Sequence, residues 1–241
     1  MDWCFSHDLK EPIRKIRTFG GRLVQEFGND LPEKAKIYVA KMESAANRAH
    51  AMIDGVLMYA SMDGEMISSE PIDLNGIMGN IEVDLELLIA QKKAVIHYQD
   101  LPAIEGSSIL IYQLFYNLIN NALKFSKNEG IALINIVSES ISSTDFKYYG
   151  LEGAHENYKK IIITDNGIGF SMEEAEKIFK TFSRLHSKDE YEGTGLGLAL
   201  CKKITERHGG IILAKGKINE GASFEIILPV RQINKIINKV Q

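Results

Sequence analysis

The chain has 241 residues, 45% of them apolar and 25% charged, with a formal net charge of −4. That length sets one or two domains, with ample apolar mass for a core. The acidic balance, with a sequence pI near 5.9, argues against nucleic acid as a partner, because phosphate-backbone binders need a basic face. No window approaches the ~20 apolar residues of a membrane span. The start, Met1 to Asp8, lacks the basic and hydrophobic runs of a signal peptide. Cys4 and Cys201 have no CxxC spacing. A reduced, cytoplasmic chain without membrane contact is expected.

Apolar residues at Phe5, Leu9, Ile13, Ile16, Phe19, Leu23, Val24 and Phe27 recur every three or four positions, which predicts an amphipathic helix over 3–28. Gly28 to Pro32 then supplies turn chemistry. A second helix is predicted over 33–62, with Ile37, Met42, Ala46, Ala49, Ile53 and Leu57 among its inward residues. Two helices joined by a short loop form an antiparallel hairpin. One hairpin cannot bury both apolar stripes, so a homodimer closing a four-helix bundle is expected.

Beyond about residue 65 the pattern changes. Strands are predicted at 95–98, 131–137, 160–164, 211–214 and 223–228, alternating with helices at 73–91, 107–125, 172–182 and 196–208. That is a sheet with helices on one face, and the whole chain is α+β. Residues 138–158 read as a hairpin excursion between two strands. The expected domains are a helical hairpin over 1–65, an α/β sandwich over 66–230 and a tail over 231–241.

On the first helix, at 100° per residue, His7 falls opposite the apolar stripe and is flanked by Glu11, Arg14 and Thr18. Asp8 can accept a proton from one imidazole nitrogen and leave the other with its lone pair outward, as a nucleophile requires. Pro12 predicts a bend just beyond, or a helix that begins only there.

The predicted helix over 107–125 places Gln113, Asn117, Asn120, Asn121 and Lys124 on one face. Carboxamide oxygens ligate a hard cation without adding negative charge, which suits Mg²⁺ shared with phosphates, and Lys124 adds a point charge for those phosphates. Asp165-Asn166-Gly167-Ile168-Gly169 follows a strand, and Gly193-Thr194-Gly195-Leu196-Gly197 opens a helix, where bare backbone N–H groups can approach an anion. Neither a Rossmann fingerprint nor a P-loop is present.

In this order the motifs resemble the catalytic core of two-component sensor histidine kinases. Phe5 to Pro12 is similar to the H-box, Asn117 to Phe125 to the N-box, and Asp165 to Phe170 to the first G-box. Ile178 to His186 is similar to the F-box, Gly193 to Leu198 to the second G-box, and Glu220 to Phe224 to a loose third. The resemblance covers the chain apart from 138–158 and the tail. It implies a GHKL-type (Bergerat) ATP-binding domain behind a dimeric histidine-phosphotransfer hairpin, with ATP and Mg²⁺ as cofactors. His7 would attack the γ-phosphorus, with Asp8 orienting it and assisting as base. Asn121 would ligate Mg²⁺ with support from Asn117, and Lys124 would hold phosphate oxygens. Asp165 would accept from the adenine amino group, with Gly167 and Gly169 shaping that end. Gly193, Thr194, Gly195, Leu196 and Gly197 would form a mobile lid, and Arg184 would contact the γ-phosphate. Phosphohistidine would pass its group to an aspartate on a response-regulator receiver domain, with Arg14, Arg17 and Thr18 as docking surface.

Two departures stand out. The family commonly has Thr or Asn four residues after the histidine, where this chain has Glu11, which puts phosphatase activity toward the regulator in doubt. His7 also lies only six residues from the start, whereas the family places it inside a longer helix. Two other readings keep part of the pattern: a GHKL ATPase without kinase activity, and a dimeric nucleotide-binding scaffold. The H-box hairpin counts against the first. The intact Asn121, Lys124 and Asp165 count against the second.

Overall fold

The computed structural model describes residues 2–61, 69–151, 157–183 and 194–231, with side chains described except at 2–9, 44, 48, 51 and 58–61. Its contacts divide the chain into two compact units, residues 1–64 with 192–196, and the remainder.

The first unit is a hairpin of α1 (Asp2–Phe27) and α2 (Glu33–Ser61). α1 runs through Pro12 instead of starting there. Its C-terminal carbonyls are taken up by the turn, where Gly28 N–H donates to Val24 O at 2.9 Å and Leu31 N–H to Phe27 O at 3.0 Å. The Lys10 ammonium pairs with Asp54 at 2.7 Å across the two helices. Within this single chain only Val39 and Ala46 are fully buried among the described apolar side chains of the hairpin, while Phe19 is 64% and Met42 59% exposed. Ile16, Leu23, Val24, Phe27, Ile37, Tyr38, Met52 and Val56 are exposed too.

The second unit is built on a five-stranded mixed sheet. β2 (Val95–Tyr98), β4 (Leu133–Ser140), β5 (Tyr158–Asp165), β6 (Ile211–Lys217) and β7 (Gly221–Pro229) lie in the order β2-β4-β5-β7-β6. β2 pairs parallel with β4, and every other neighbour is antiparallel. Alternation along the central strands buries Ile134, Ile136, Ile161, Ile163 and Ile226. α5 (Ser108–Lys124) brings Ile111, Leu114, Phe115, Leu118, Ile119 and Leu123 to the core, and α7 (Gly197–Arg207) brings Ala199, Leu200, Cys201 and Ile204. A second, two-stranded sheet, β1 (Glu70–Asp73) with β3 (Ala103–Gly106), has no counterpart in the sequence reading. No helix among the described residues is long and apolar enough to cross a membrane.

Three expectations need correction or refinement. The helix predicted over 73–91 is two, α3 (Leu74–Asp84) and α4 (Glu86–Lys92). The break falls at Leu85, which turns inward and is buried. The helix predicted over 172–182 is instead two single 3₁₀ turns, Met172–Glu174 and Lys177–Phe179. Lys180 is extended and Phe182 has φ +61°, because the chain bends to bury Ile178 and set Phe179 edge-on against Phe224. The excursion between β4 and β5 carries a helix of its own, α6 (Ser143–Tyr148), capped by Ser142. Phe146 packs with Ile141, Tyr158 and Ile227.

Candidate functional site: the end of β5 and the polar face of α5

β5 ends at Asp165, two residues beyond buried Ile163 and so on the same face of the strand. Its Oδ1 accepts N–H groups from Gly167 at 2.8 Å and Ala222 at 3.2 Å. Burial raises the Asp165 carboxyl above its ordinary 3.8, and those two hydrogen bonds pull only partly back. A half-buried, fixed carboxylate with a second oxygen to offer is suited to bind a donor such as an exocyclic amine.

The turn after Asp165 is fastened on three sides. Ile168 N–H donates to Phe125 O at 3.0 Å, at the end of α5, and Asn219 N–H donates to Ile168 O at 2.7 Å. Asn166 binds backbone of the β4 approach, accepting from Leu133 N–H and donating to Ile131 O, each at 2.9 Å. A Cβ on Gly167 would sit 2.5 Å from Phe125 O. Gly169, at φ +63°, faces Lys217 O, and Gly221, at φ +115°, faces Asp165 O, both too closely for any Cβ. Gly221 and Ala222 belong to the loose third glycine box. Its backbone N–H on Asp165 was not assigned from sequence, because a backbone donor has no side-chain signature.

Gln113, Asn117, Asn120, Asn121 and Lys124 all lie on the partly exposed face of α5, as its periodicity predicts. Gln113 Nε2 donates to Asn117 Oδ1 at 3.1 Å. Asn117 Nδ2 is buried without a hydrogen-bond acceptor among the described residues. The Lys124 ammonium lies 4.5 Å from the centre of the Phe125 ring. Asn117 also faces Gly197 at the start of α7, where an added Cβ would find ordinary contact 3.8 Å from its carboxamide. Space does not therefore demand glycine at 197. Gly195, at φ +72°, lies in the left-handed region that favours glycine. Beside it the Thr194 hydroxyl accepts from Leu196 N–H at 3.3 Å.

His7 and Asp8 lie on α1, and their side chains fall outside the described ones. Arg184 and Gly193 lie outside the described residues altogether. The Glu11 carboxylate is held by Arg14, at 2.9 and 3.0 Å, and by Lys15 at 3.5 Å. The Arg14 contact is the larger cause of a lowered Glu11 pKa. A groove of about 450 Å³ on the hairpin is lined by Arg14, Arg17, Thr18, Glu43 and Asn47.

The match to known proteins follows this geometry. Residues 106–232 fit the family described as histidine kinase-, DNA gyrase B-, and HSP90-like ATPase, and the chain belongs to that family. It is 32% identical to cyanobacterial phytochrome A of Nostoc sp. over 225 residues, which make up 93% of this chain and 28% of that protein. The sensor-like histidine kinase ycf26 of Porphyra purpurea is 29% identical over 227 residues, 91% of this chain and 34% of that one. The chain thus spans about a third or less of these relatives. Full-length ShkA in complex with AMPPNP shares the fold with a TM-score of 0.68, covering 95% of this chain and 45% of that one, at 20% identity. The catalytic domain of histidine kinase ThkA has a TM-score of 0.53 at 25% identity, covering 68% of this chain and 97% of that domain. The α/β unit is a GHKL-type ATP-binding domain.

Proposed function

We propose that the chain is the kinase core of a two-component sensor, with residues 1–65 as phosphoacceptor hairpin and 66–230 as ATP-binding domain. Asp165 carries the reading: a carboxylate anchored by Gly167 and Ala222 N–H groups at the end of β5, near the turn that ties to the end of α5. In this reading Asp165 accepts from the adenine amino group and the amide face of α5 meets the triphosphate. The donor set fits Mg²⁺ bound together with phosphates. Among the described residues no three His, Cys, Asp or Glu side chains converge, so charge on the metal would be met by phosphate oxygens and by the neutral Asn121, with Asn117 behind it. When bound, Mg²⁺ supplies charge neutralisation at the transferring phosphoryl group.

The chain's own residues do the rest. Lys124 holds phosphate oxygens, and Asp8 fixes the His7 tautomer so that the free nitrogen faces the γ-phosphorus. Arg184 and the segment from Gly193 to Gly197 complete the phosphate end. Phosphoryl transfer then forms the N–P bond at His7 as the bond from the γ-phosphorus to the bridging oxygen breaks, leaving ADP. A solved complex pairs ThkA with the response regulator TrrA. By analogy this chain would pass its phosphoryl group to a receiver-domain aspartate, docking near Arg14, Arg17 and Thr18. The uncovered apolar stripes of α1 and α2 support a homodimer closing a four-helix bundle.

The test is incubation with Mg²⁺ and γ-labelled ATP of wild type, His7→Gln and Asn121→Asp. An acid-labile, alkali-stable label absent from both variants is expected. A label that persists in His7→Gln would overturn the assignment of the acceptor. ATP binding without any label in wild type would favour a GHKL ATPase or a nucleotide-gated scaffold.

A further inference from the structure

His208 is 1% exposed, and both of its ring nitrogens are engaged. Nδ1 lies 2.8 Å from Ile204 O, and Nε2 lies 3.2 Å from Ser107 N. A carbonyl only accepts and an amide N–H only donates, so Nδ1 carries the proton and Nε2 is the acceptor. The imidazole lies against Gly106, where an added Cβ would be 2.6 Å from Cδ2 and 2.7 Å from Nε2. A side chain at position 106 would displace the ring, and glycine leaves it in place.

Ser107 is the N-cap residue of α5 and makes no side-chain cap bond. The start of α5 is held instead from outside, by the imidazole on Ser107 N–H and by Glu70 of β1, which accepts from Ser108 N–H at 3.3 Å. Three contacts then follow along the α5–α7 pair. Ser107 meets His208, the Leu114 carbonyl accepts from the Cys201 thiol at 3.6 Å, and Asn117 faces Gly197. The intervals, from 107 to 117 on α5 and from 208 to 197 along α7, correspond to about 15 and 16 Å of helix. The two helices run antiparallel in matched register, with the imidazole at one end and the Asn117–Gly197 contact at the other.

We infer that His208 is a positioning residue for the nucleotide site: its neutral imidazole pins the start of α5 to the end of α7, and protonation releases that pin and loosens the register that sets Asn117 against Gly197. The inference rests on the nucleotide reading above. A proton on Nε2 would set donor against donor at Ser107, inside a closed environment. Arg207 on α7 is the charged group that acts on the imidazole, Glu70 on β1 accepts from the neighbouring Ser108 N–H, and Glu105 precedes Gly106 on β3. Burial is the largest influence holding the imidazole below its ordinary 6.5, and Arg207 adds to it.

The experiment titrates Mg²⁺-free ADP against wild type, His208→Gln and His208→Phe between pH 8 and 5.5. Glutamine offers an oxygen to Ser107 N–H without titrating, and phenylalanine offers no acceptor. Titration of Asp165 and of the ADP phosphates is common to all three chains and cancels in the ratios. The expected result is a fewfold loss of wild-type affinity at pH 5.5 beyond that of His208→Gln, below the roughly tenfold that linkage would allow an imidazole at its ordinary pKa, with His208→Phe weakened at pH 8 already. Parallel losses in wild type and His208→Gln would overturn the proposal. Amide-exchange protection at Ser107 is read alongside. It is expected to drop at pH 5.5 in wild type and to hold in His208→Gln. If no chain binds ADP, the nucleotide reading falls, and unchanged Ser107 protection in wild type would overturn the pin by itself.

Discussion

Replacing Asp165 by Asn changes one atom, and the site geometry predicts two effects of opposite sign. Oδ1 stays an acceptor for Gly167 and Ala222 N–H groups, so the local fold is kept, while the second oxygen becomes an NH₂ donor. In the nucleotide-free protein the buried carboxylate is a burden, since burial is the larger influence on it and raises its pKa. A carboxyl with a raised folded-state pKa binds more protons folded than unfolded. Its penalty is therefore full at pH values above that raised pKa and fades as pH falls toward the ordinary 3.8. Asp165→Asn is expected to raise apo stability at pH 7.5, with the gain vanishing near pH 3.8.

With nucleotide the sign reverses. Losing a hydrogen bond to a charged acceptor removes about 1.5–3 kcal/mol, or roughly 12- to 160-fold in Kd. At a ligand concentration 100 times the wild-type Kd, binding stabilises wild type by about 2.7 kcal/mol, and a 100-fold weaker variant by only about 0.4 kcal/mol. For a domain of this size those figures correspond to about 5–11 °C and about 1–2 °C in Tm. Thermal melts with and without AMPPNP measure both effects. A variant that kept the full nucleotide shift would refute the adenine role of Asp165. One that lost apo stability at pH 7.5 would refute the burial argument.

Other substitutions test the surrounding scaffold. Gly221→Ala would drive a Cβ into the Asp165 carbonyl at φ +115° and is expected to cost about 3 kcal/mol or more in denaturant melts; a loss below 1 kcal/mol would contradict the close approach. Cys201 is fully buried, with its thiol pushed up to about 12, so in a Cys4→Ser background thiol labelling at pH 8 should proceed at the rate of unfolding. Fast labelling of the folded protein would contradict this. Phe19→Asp places a charge on the exposed apolar stripe of α1 and is expected to shift the light-scattering mass from dimer to monomer at micromolar concentration, without changing nucleotide affinity; a dimer that survives would move the interface elsewhere. Glu11→Thr frees Arg14 and Lys15 from their shared carboxylate and is expected to raise regulator dephosphorylation, whereas no gain would place the determinant outside this position.

What the sequence determined by itself is whatever periodicity and side-chain chemistry encode locally. The long hairpin helices, the amide face of α5 and the strand leading into Asp165 are all regular over many residues, so their patterns survive folding. The motifs kept their order and their positions on elements: Asp165 closes β5, Asn117 to Lys124 occupy the last turns of α5, and Gly197 opens α7. Tertiary structure decided the remainder wherever a partner lies far along the chain or has no side chain to read. β1 and β3 are four residues each and pair across some thirty positions, too short for a period to declare itself. The helical pattern near 172–182 gave way to 3₁₀ turns because burying Ile178 and placing Phe179 on Phe224 outweighed local propensity. The Ala222 amide reaches Asp165 from 57 residues away, and Ser107 reaches His208 from 101. Both bonds use backbone N–H groups, which every residue but proline carries, so only the folded chain selects which of them reach Asp165 and His208.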